Sequence, residues 1–246
     1  MINSDLKFEN SWGNQTRADS YSRLEFPNTY YLAYRDLPKI ISQHMTGKRA
    51  VDFGCGTGRS TRFLKQLGFN VTGIDISADM LNLARSKDLT GDYQLVENGN
   101  YSYLGLNQFD LVQSIFTFDN IQGWDTRTNI LIGLRNLLNT SGRIICLDST
   151  PELYVNEWAS FSTRDFPENR IAKTGDIVRV IMHDVEDKRP VEDIYWTLND
   201  YHLLFKSAGL EIEACYKPIG YDSEPINWVS ETRIAPWMIF VLKRLL

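Results

Sequence analysis

Two aspartates and three glycines form the densest group of potentially functional residues in the sequence. Asp52 lies in an apolar segment that leads into glycines at alternate positions, Gly54, Gly56 and Gly58. Glycines at a turn let the backbone approach a ligand closely, and a helix that begins after them offers unpaired N–H groups to a polar group. Asp75 ends the next apolar segment, from which a carboxylate can hold the hydroxyls of a ribose. This arrangement indicates a nucleoside-bearing cofactor.

The spacing of the glycines excludes two common nucleotide-binding motifs. A dinucleotide fingerprint requires G-x-G-x-x-G, but the third glycine position holds Arg59 when counting starts at Gly54, and Thr61 when it starts at Gly56. A Walker phosphate loop requires G-K-[ST], whereas this chain has Gly58-Arg59-Ser60. The pattern present is D-x-G-x-G-x-G. The alternative interpretation is a glycine-rich turn that serves only packing.

The D-x-G-x-G-x-G pattern resembles motif I of the class I S-adenosylmethionine (SAM)-dependent methyltransferases, and Gly73-Ile74-Asp75-Ile76-Ser77 resembles the segment that follows it there. The resemblance is specific over residues 48–148 and loose elsewhere. It implies an α/β, Rossmann-like fold whose seven-stranded, mostly parallel sheet has helices on both faces and an antiparallel last strand. It also implies S-adenosyl-L-methionine as the cofactor. The implied cofactor contacts are Asp52, Gly54, Cys55, Gly56, Asp75, Ile76, Met80, Asn100, Tyr101 and Phe116.

Some of these residues have a specific expected role. The resemblance implies that Asp75 holds the ribose hydroxyls and that Gly54 and Gly56 admit the methionine end of the cofactor. Asn100 and Tyr101 are expected to border the adenine. The family usually has an acid where this chain has Asn100. The carbonyl oxygen of an asparagine can still accept a hydrogen bond from the adenine amino group.

Residues 48–148 alternate between strand and helix patterns, as a parallel sheet with helices on both faces requires. The helix after the glycines is predicted to be amphipathic. Its predicted apolar face is Phe63, Leu64 and Leu67, and its predicted polar face is Arg59, Arg62 and Lys65. The apolar segment Phe109–Ile115 is predicted to be the fourth strand, and Arg143–Leu147 the fifth. Phe116–Asn120 then follows the fourth strand at the sheet edge where such folds bind ligands.

We expect a single domain over residues 1–246 with four parts. These are an N-terminal helical cap (1–47), a SAM-binding core (48–148), a substrate-covering insertion (149–196) and the C-terminal part of the sheet (197–246). Aromatic residues concentrate outside the alternating core. They are expected to enclose a mostly apolar pocket of drug-like size with help from residues 218–235. The candidate substrate-binding residues are Tyr21, Tyr30, Tyr31 and Trp228.

Composition narrows the possible partners. The net charge is −5 and no block of lysines and arginines stands out, so a nucleic-acid partner is not expected. No apolar run approaches the ~20 residues of a membrane span, and the N-terminus shows no apolar core of a secretory signal. The cysteines, Cys55, Cys146 and Cys215, include no C-x-x-C pair, which is typical of reduced thiols in the cytoplasm. Cys55 is expected to be a small buried side chain.

The expected chemistry is direct in-line displacement, in which an oxygen, nitrogen or carbon nucleophile of a small molecule receives the sulfonium methyl group. The sequence offers no obvious general base, so no catalytic residue is assigned and no metal is expected. His183 and Asp119 are the ionisable residues to test, since each is predicted near the ligand edge. Two alternatives stay open, a SAM-binding regulatory or partner protein without turnover and a methyltransferase acting on a protein or RNA side chain. The oligomeric state is left open.

Overall fold

The structure is a computed structural model that describes residues 26–96 and 100–245. The helices are α1 (Thr29–Arg35), α2 (Leu37–His44), α3 (Arg59–Gln66), α4 (Ala78–Lys87), α5 (Trp124–Leu137) and α6 (Leu198–Ser207). The strands of the main sheet are β1 (Arg49–Phe53), β2 (Asn70–Asp75), β3 (Asp92–Leu95), β4 (Phe109–Ile115), β5 (Leu138–Ser149), β9 (Leu210–Tyr216) and β10 (Trp237–Arg244). Three further strands are β6 (Phe161–Ser162), β7 (Ile177–Met182) and β8 (Val191–Ile194).

The main sheet has the strand order β3-β2-β1-β4-β5-β10-β9. The pairs from β3 to β5 are parallel, and β10 runs antiparallel to both of its neighbours. Strands covered on both faces are expected to be continuously apolar, and β10 has this character, with Trp237–Leu242 buried throughout. The predicted seven-stranded, mostly parallel fold with an antiparallel last strand is confirmed.

Local sequence signals account for several helix ends. The Ser77 side chain accepts a hydrogen bond from the Met80 N–H and caps α4. Gly68 ends α3 in the left-handed region, with φ of 83°. The sequence predicts a helix over 32–45 that is interrupted or begins again at Pro38, and Pro38 indeed lies in the first turn of α2, where its missing N–H has no cost.

The prediction that Arg59 faces solvent is wrong. Arg59 begins α3, and only 7% of its surface is exposed. Its guanidinium carbon lies 5.0 Å from the ring centre of Tyr30, 5.6 Å from that of Tyr34 and 5.9 Å from that of Phe26. A guanidinium can pack against aromatic faces in this way because the ring face carries partial negative charge. The helical period of α3 cannot predict the burial of Arg59, because the rings that cover it come from α1 and the segment before it.

The fifth strand is longer than predicted. The sequence predicts that the preceding helix stops at residues 139–142 and that the strand begins at Arg143, but β5 begins at Leu138, which pairs with Phe109. Pairing then shifts register and resumes at Arg143 opposite Leu111. The turn-forming residues are therefore accommodated as an irregularity within the strand.

The segment between β5 and α6 forms a small sheet of its own. Its order is β6-β7-β8, and both pairs are antiparallel. The sequence patterns at 175–182 and 190–196 predict two strands joined by a charged turn, and these correspond to β7 and β8, whereas β6 is an addition. None of the helices in the described ranges is long and apolar enough to cross a membrane.

Segments far apart in the chain meet around the buried carboxyl group of Glu231. Its Oε1 accepts hydrogen bonds from the Thr29 hydroxyl at 2.6 Å and the Ala159 N–H at 2.8 Å. Its Oε2 accepts from the N–H groups of Val229 and Ser230 at 2.9 and 3.1 Å. Helix α1, the segment after β5 and the segment before β10 are thus joined at one point.

Candidate functional site

A cavity of about 930 Å³ opens at the carboxyl ends of the central strands. The glycine turn after β1, the end of β2 and the segment after β4 form one part of its wall. Helix α1, the small sheet and β10 form another part, through Tyr30, Phe161, Val180, Val191 and Trp237. The cavity therefore lies at the edge where open α/β sheets bind ligands.

Gly54 and Gly56 both line this cavity with left-handed backbones, but for different reasons. A Cβ atom at Gly54 would lie 2.3 Å from side-chain atoms of Thr117, so close packing requires glycine there. A Cβ atom at Gly56 would meet no protein atom within 4 Å. The open space beside Gly56 suits a ligand that approaches the backbone closely.

Asp75 holds the glycine turn against the end of β2. Its Oδ2 accepts a hydrogen bond from the Gly56 N–H and its Oδ1 from the Ser77 N–H, both at 2.8 Å. Burial raises the pKa of Asp75, and these backbone hydrogen bonds oppose the rise. Each carboxylate oxygen has more than one lone pair, so both can accept a further hydrogen bond from the cavity, which Asp75 lines.

Asp52 lies behind the glycine turn and does not line the cavity. It is fully buried, and its Oδ2 accepts hydrogen bonds of 2.6 Å from the hydroxyls of Ser60 and Thr61. Burial raises its pKa to about 6, although these hydroxyls oppose the rise. Asp52 thus fastens the first turn of α3 to β1. Cys55 is also buried outside the cavity lining.

The remaining predicted cofactor residues fall into two groups. Ile76, Met80, Tyr101 and Phe116 line the cavity. Asn100 is exposed and does not, and its Oδ1 accepts hydrogen bonds from the N–H and hydroxyl of Ser102 at 3.1 and 2.7 Å. The structure therefore brings the first group to the cavity and leaves Asn100 outside it.

Phe116 has an unusual backbone at the end of β4. Its φ is 59°, a left-handed conformation that bulky residues rarely adopt. Its N–H donates a 2.7 Å hydrogen bond to the Leu147 carbonyl, and its ring packs against Tyr30 and Trp237 at centroid distances of 5.8 and 4.7 Å. Strained residues of this kind concentrate at functional sites.

The candidate substrate-binding residues also differ in whether they line the cavity. Tyr30 lines the cavity, whereas Tyr31 and Trp228 do not. The Trp228 indole N–H donates to the Tyr221 carbonyl at 3.2 Å. Tyr21 lies outside the described residues. His183, one of the two ionisable residues to test, is exposed and also absent from the cavity wall.

Three buried aspartates form an acidic cluster beside the cavity: Asp119, Asp148 and Asp193. Asp119 follows β4 and Asp193 lies on β8, and both line the cavity, whereas Asp148 lies near the end of β5 behind it. Sequence reasoning named Asp119 and missed the other two. An acid at the end of the apolar run 144–147 was the available signal for Asp148. No comparable signal marked Asp193, because its strand belongs to the small sheet.

Neutral donors contact each acid of the cluster. The Ser149 hydroxyl and N–H donate to Asp119 Oδ2 at 2.7 and 3.1 Å. The Tyr154 hydroxyl donates to Asp193 Oδ2 at 3.2 Å. Cys146 Sγ donates to Asp148 Oδ2 at 2.9 Å, and Asp148 Oδ1 has no hydrogen-bond partner.

The pKa values of all three acids are raised. Burial raises the pKa of Asp119 to about 6. Burial and then repulsion by Asp119 raise the pKa of Asp148 to about 8 and that of Asp193 well above its usual value.

Arg127 is the cation that acts on all three acids of the cluster, because its positive charge lowers the pKa of each one. It is fully buried, but its Nε donates to the Ile121 carbonyl at 2.6 Å and its Nη2 to the Phe118 carbonyl. Its guanidinium lies 4.0 Å from the ring centre of Trp196. Among the described residues, no basic nitrogen lies within 4.0 Å of a carboxylate oxygen of the cluster. Over residues 26–96 and 100–245, no group of three or more His, Cys, Asp or Glu is arranged to hold a metal ion.

Sequence comparison identifies the core of the chain. Residues 51–146 match the family described as "Methyltransferase domain". The ubiquinone biosynthesis O-methyltransferase of Nitrosococcus oceani is 28% identical over 117 residues, 45% of this chain and 48% of that protein. The demethylmenaquinone methyltransferase of Tropheryma whipplei is 34% identical over 115 residues, 44% of this chain and 45% of that protein. The chain thus spans about half the length of the curated relatives it matches.

Solved structures resemble the chain over nearly all of its length. The CcbJ methyltransferase of Streptomyces caelestis matches with a TM-score of 0.67 and 19% identity, over 98% of this chain and 100% of that one. The PH0226 protein of Pyrococcus horikoshii matches with a TM-score of 0.64 and 19% identity, over 92% of this chain and 98% of that one. At such identities these matches establish the fold. The family match identifies residues 51–146 as a methyltransferase domain, and the structural matches show that the chain shares the fold of the CcbJ methyltransferase.

Proposed function

We propose that this protein is a SAM-dependent methyltransferase that acts on a small-molecule acceptor. The observation that carries the proposal is the cavity of about 930 Å³, which joins the glycine turn and Asp75 to an enclosed, largely apolar region. This volume is near the upper limit for small-molecule sites, about 1,000 Å³. A cofactor and an acceptor can therefore share it.

The cofactor would bind at the end of the cavity formed by β1 and β2. Asp75 would accept hydrogen bonds from the ribose hydroxyls, while Gly56 would let the methionine portion lie against the backbone. Ile76, Met80 and Tyr101 would supply apolar surface to the adenine, since all three line the cavity. The open space at Gly56 and the position of Asp75 fit such a ligand.

Bound SAM supplies a methyl group that its sulfonium has already activated. The protein's task is to hold an acceptor atom in line with that methyl group and to exclude water. Positioning of this kind can lower a barrier by about 7–11 kcal/mol. The rings of Tyr30, Phe116, Phe161 and Trp237 form the wall that would orient the acceptor, since each lies within 6 Å of at least one other.

Three further observations favour a small molecule over a protein or RNA side chain. The region around the cavity is joined by the buried Glu231 contacts rather than open as a flat surface, and the net charge of −5 does not favour a nucleic-acid partner. The relatives named for ubiquinone biosynthesis and for demethylmenaquinone also have names that indicate small-molecule acceptors.

Two measurements test the proposal. Calorimetry should detect binding of S-adenosylhomocysteine, and a panel of small oxygen, nitrogen and carbon nucleophiles should include one that yields S-adenosylhomocysteine from SAM. Binding without turnover on any acceptor would favour the regulatory alternative. Turnover only with protein or RNA would refute the small-molecule assignment, and no binding would refute the cofactor assignment.

A further inference from the structure

We propose that the methyl acceptor carries an amine, and that Asp119 and Asp193 bind its protonated form at the acidic end of the cavity. This inference rests on the proposed function and identifies the chemical class of the acceptor. It follows from the position of the acidic cluster, from the absence of an ion pair to it among the described residues, and from the apolar surface beside it.

The acidic cluster lies away from the cofactor end. Asp75 ends β2 and Asp119 follows β4, and the order β2-β1-β4 places these strands two positions apart. At about 4.8 Å per strand, the two strands are roughly 10 Å apart along the sheet edge. A cofactor whose ribose is held by Asp75 therefore leaves the cluster to the acceptor.

The three buried carboxyl groups share one buried cation, Arg127, whose single charge cannot balance three acids. The acids Asp119, Asp148 and Asp193 are each less than 10% exposed, and no described Lys, Arg or His makes an ion pair with them. Arg127 is engaged by backbone carbonyls and by the Trp196 ring. A buried charge without a partner is unfavourable, so such a cluster either takes up protons or binds a cation.

An unused acceptor atom at this end points to a ligand that donates hydrogen bonds. Asn120, which lines the cavity beside Asp119, has a buried Oδ1 without a partner. An ammonium group offers up to three N–H donors and a positive charge. It can therefore supply both the missing hydrogen bond and the missing charge.

The neighbouring surface indicates what the amine is attached to. Val191 and Asp193 are two positions apart on β8, so both side chains point to the same face. Leu153, Phe161, Val180 and Met182 also line the cavity. An apolar body bearing an amine therefore matches this end of the cavity, whereas an anionic acceptor would meet carboxylates.

The test uses three ligands of similar size with the S-adenosylhomocysteine-saturated protein: benzylamine, benzyl alcohol and benzoate. Hydrogen bonds to charged groups predict that benzylamine binds at least about tenfold more tightly than benzyl alcohol, with no binding of benzoate. Asp119→Asn and Asp193→Asn should each remove this preference without changing the affinity for S-adenosylhomocysteine. Asp222→Asn, at an exposed position, is the matched control and should keep it.

The retained affinity for S-adenosylhomocysteine shows that each variant is folded. Equal binding of amine and alcohol, absence of amine binding, or a preference that survives both substitutions would overturn the amine assignment while the proposed methyltransferase function stands. Failure of S-adenosylhomocysteine to bind the parent protein would instead refute the proposed function, and this inference with it.

Discussion

Thr29 and Glu231 are 202 positions apart in the sequence, yet the hydroxyl of Thr29 donates a 2.6 Å hydrogen bond to the carboxyl group of Glu231 in the buried interior. The Thr29 hydroxyl also accepts from the Ser160 N–H at 2.9 Å, and the Thr29 carbonyl accepts from the Trp237 indole N–H at 2.9 Å. Tyr30, the next residue, lines the cavity. The Glu231 contacts therefore hold one wall of the candidate site in place.

Replacing Glu231 should destabilise the protein. Glu231→Ala removes the acceptor of four hydrogen bonds, two of them fully buried, and leaves three backbone N–H groups without this partner. We expect a loss of roughly 2–4 kcal/mol in the free energy of unfolding, measured by urea denaturation. Glu231→Gln retains one carbonyl oxygen and should lose less. Glu211→Gln, at an exposed residue, is the control, and equal effects of Glu231→Ala and Glu211→Gln would contradict the structural role.

A pair of glycine substitutions separates backbone strain from ligand contact. Gly56 and Gly68 have φ values of 52° and 83°, and a Cβ atom at either would meet no protein atom within 4 Å. Gly56→Ala and Gly68→Ala should therefore each lower stability by about 1–2 kcal/mol, the cost of a left-handed L residue. Only Gly56 lines the cavity.

Gly56→Ala should also weaken S-adenosylhomocysteine binding by roughly 10- to 100-fold, because the added methyl group enters the ligand's space. Calorimetry on both variants checks this. Similar affinities for Gly56→Ala and Gly68→Ala would mean that the cofactor does not approach the backbone at Gly56.

Asp75 should determine which nucleoside ligand binds. Asp75→Ala is expected to weaken S-adenosylhomocysteine binding by roughly 1–3 kcal/mol, because the ribose hydroxyls lose a charged acceptor. NAD should not bind measurably, since Arg59 stands where a dinucleotide fingerprint has its third glycine. Calorimetry with both ligands decides the matter, with Asp222→Asn as control. Tighter binding of NAD than of S-adenosylhomocysteine would exclude the assignment.

The main sheet and the glycine turn were predictable because both follow from local patterns. Alternating strand and helix signals determine a parallel sheet, and D-x-G-x-G-x-G specifies a backbone that only glycine adopts easily. The burial of Arg59 was not predictable, because the rings that cover it lie on α1 and before it. The helical period of α3 contains no information about them.

The acidic cluster depends on long-range assembly for the same reason. Asp119 follows β4 and Asp148 lies near the end of β5, strands that are neighbours only after they pair, and Asp193 arrives from the small sheet. Tyr154, which donates to Asp193, lies in a segment without a clear period. A sequence pattern can place each acid at a strand end, but the fold alone places them together.

Asp148 should make stability depend on pH. Burial and repulsion by Asp119 raise its pKa to about 8, against the value of about 3.9 expected in the unfolded chain. The folded protein therefore binds a proton more tightly than the unfolded chain does. The stabilisation from this proton is fully present below about pH 4 and is lost as pH rises through about 8. The groups that face Asp148 are Asp119, Asp193, Arg127, Cys146 and Tyr201.

Asp148→Asn removes this titration and keeps the shape of the side chain. The free energy of unfolding of the variant should fall less than that of the parent between pH 5 and pH 8, as urea denaturation at several pH values would show. Asp222→Asn should follow the parent, because its carboxyl group is exposed. A parent and an Asp148→Asn variant with parallel pH profiles would mean that Asp148 titrates normally in the folded protein. Its proposed uncompensated burial would then be wrong, because a normally titrating carboxyl group must have a partner or access to water.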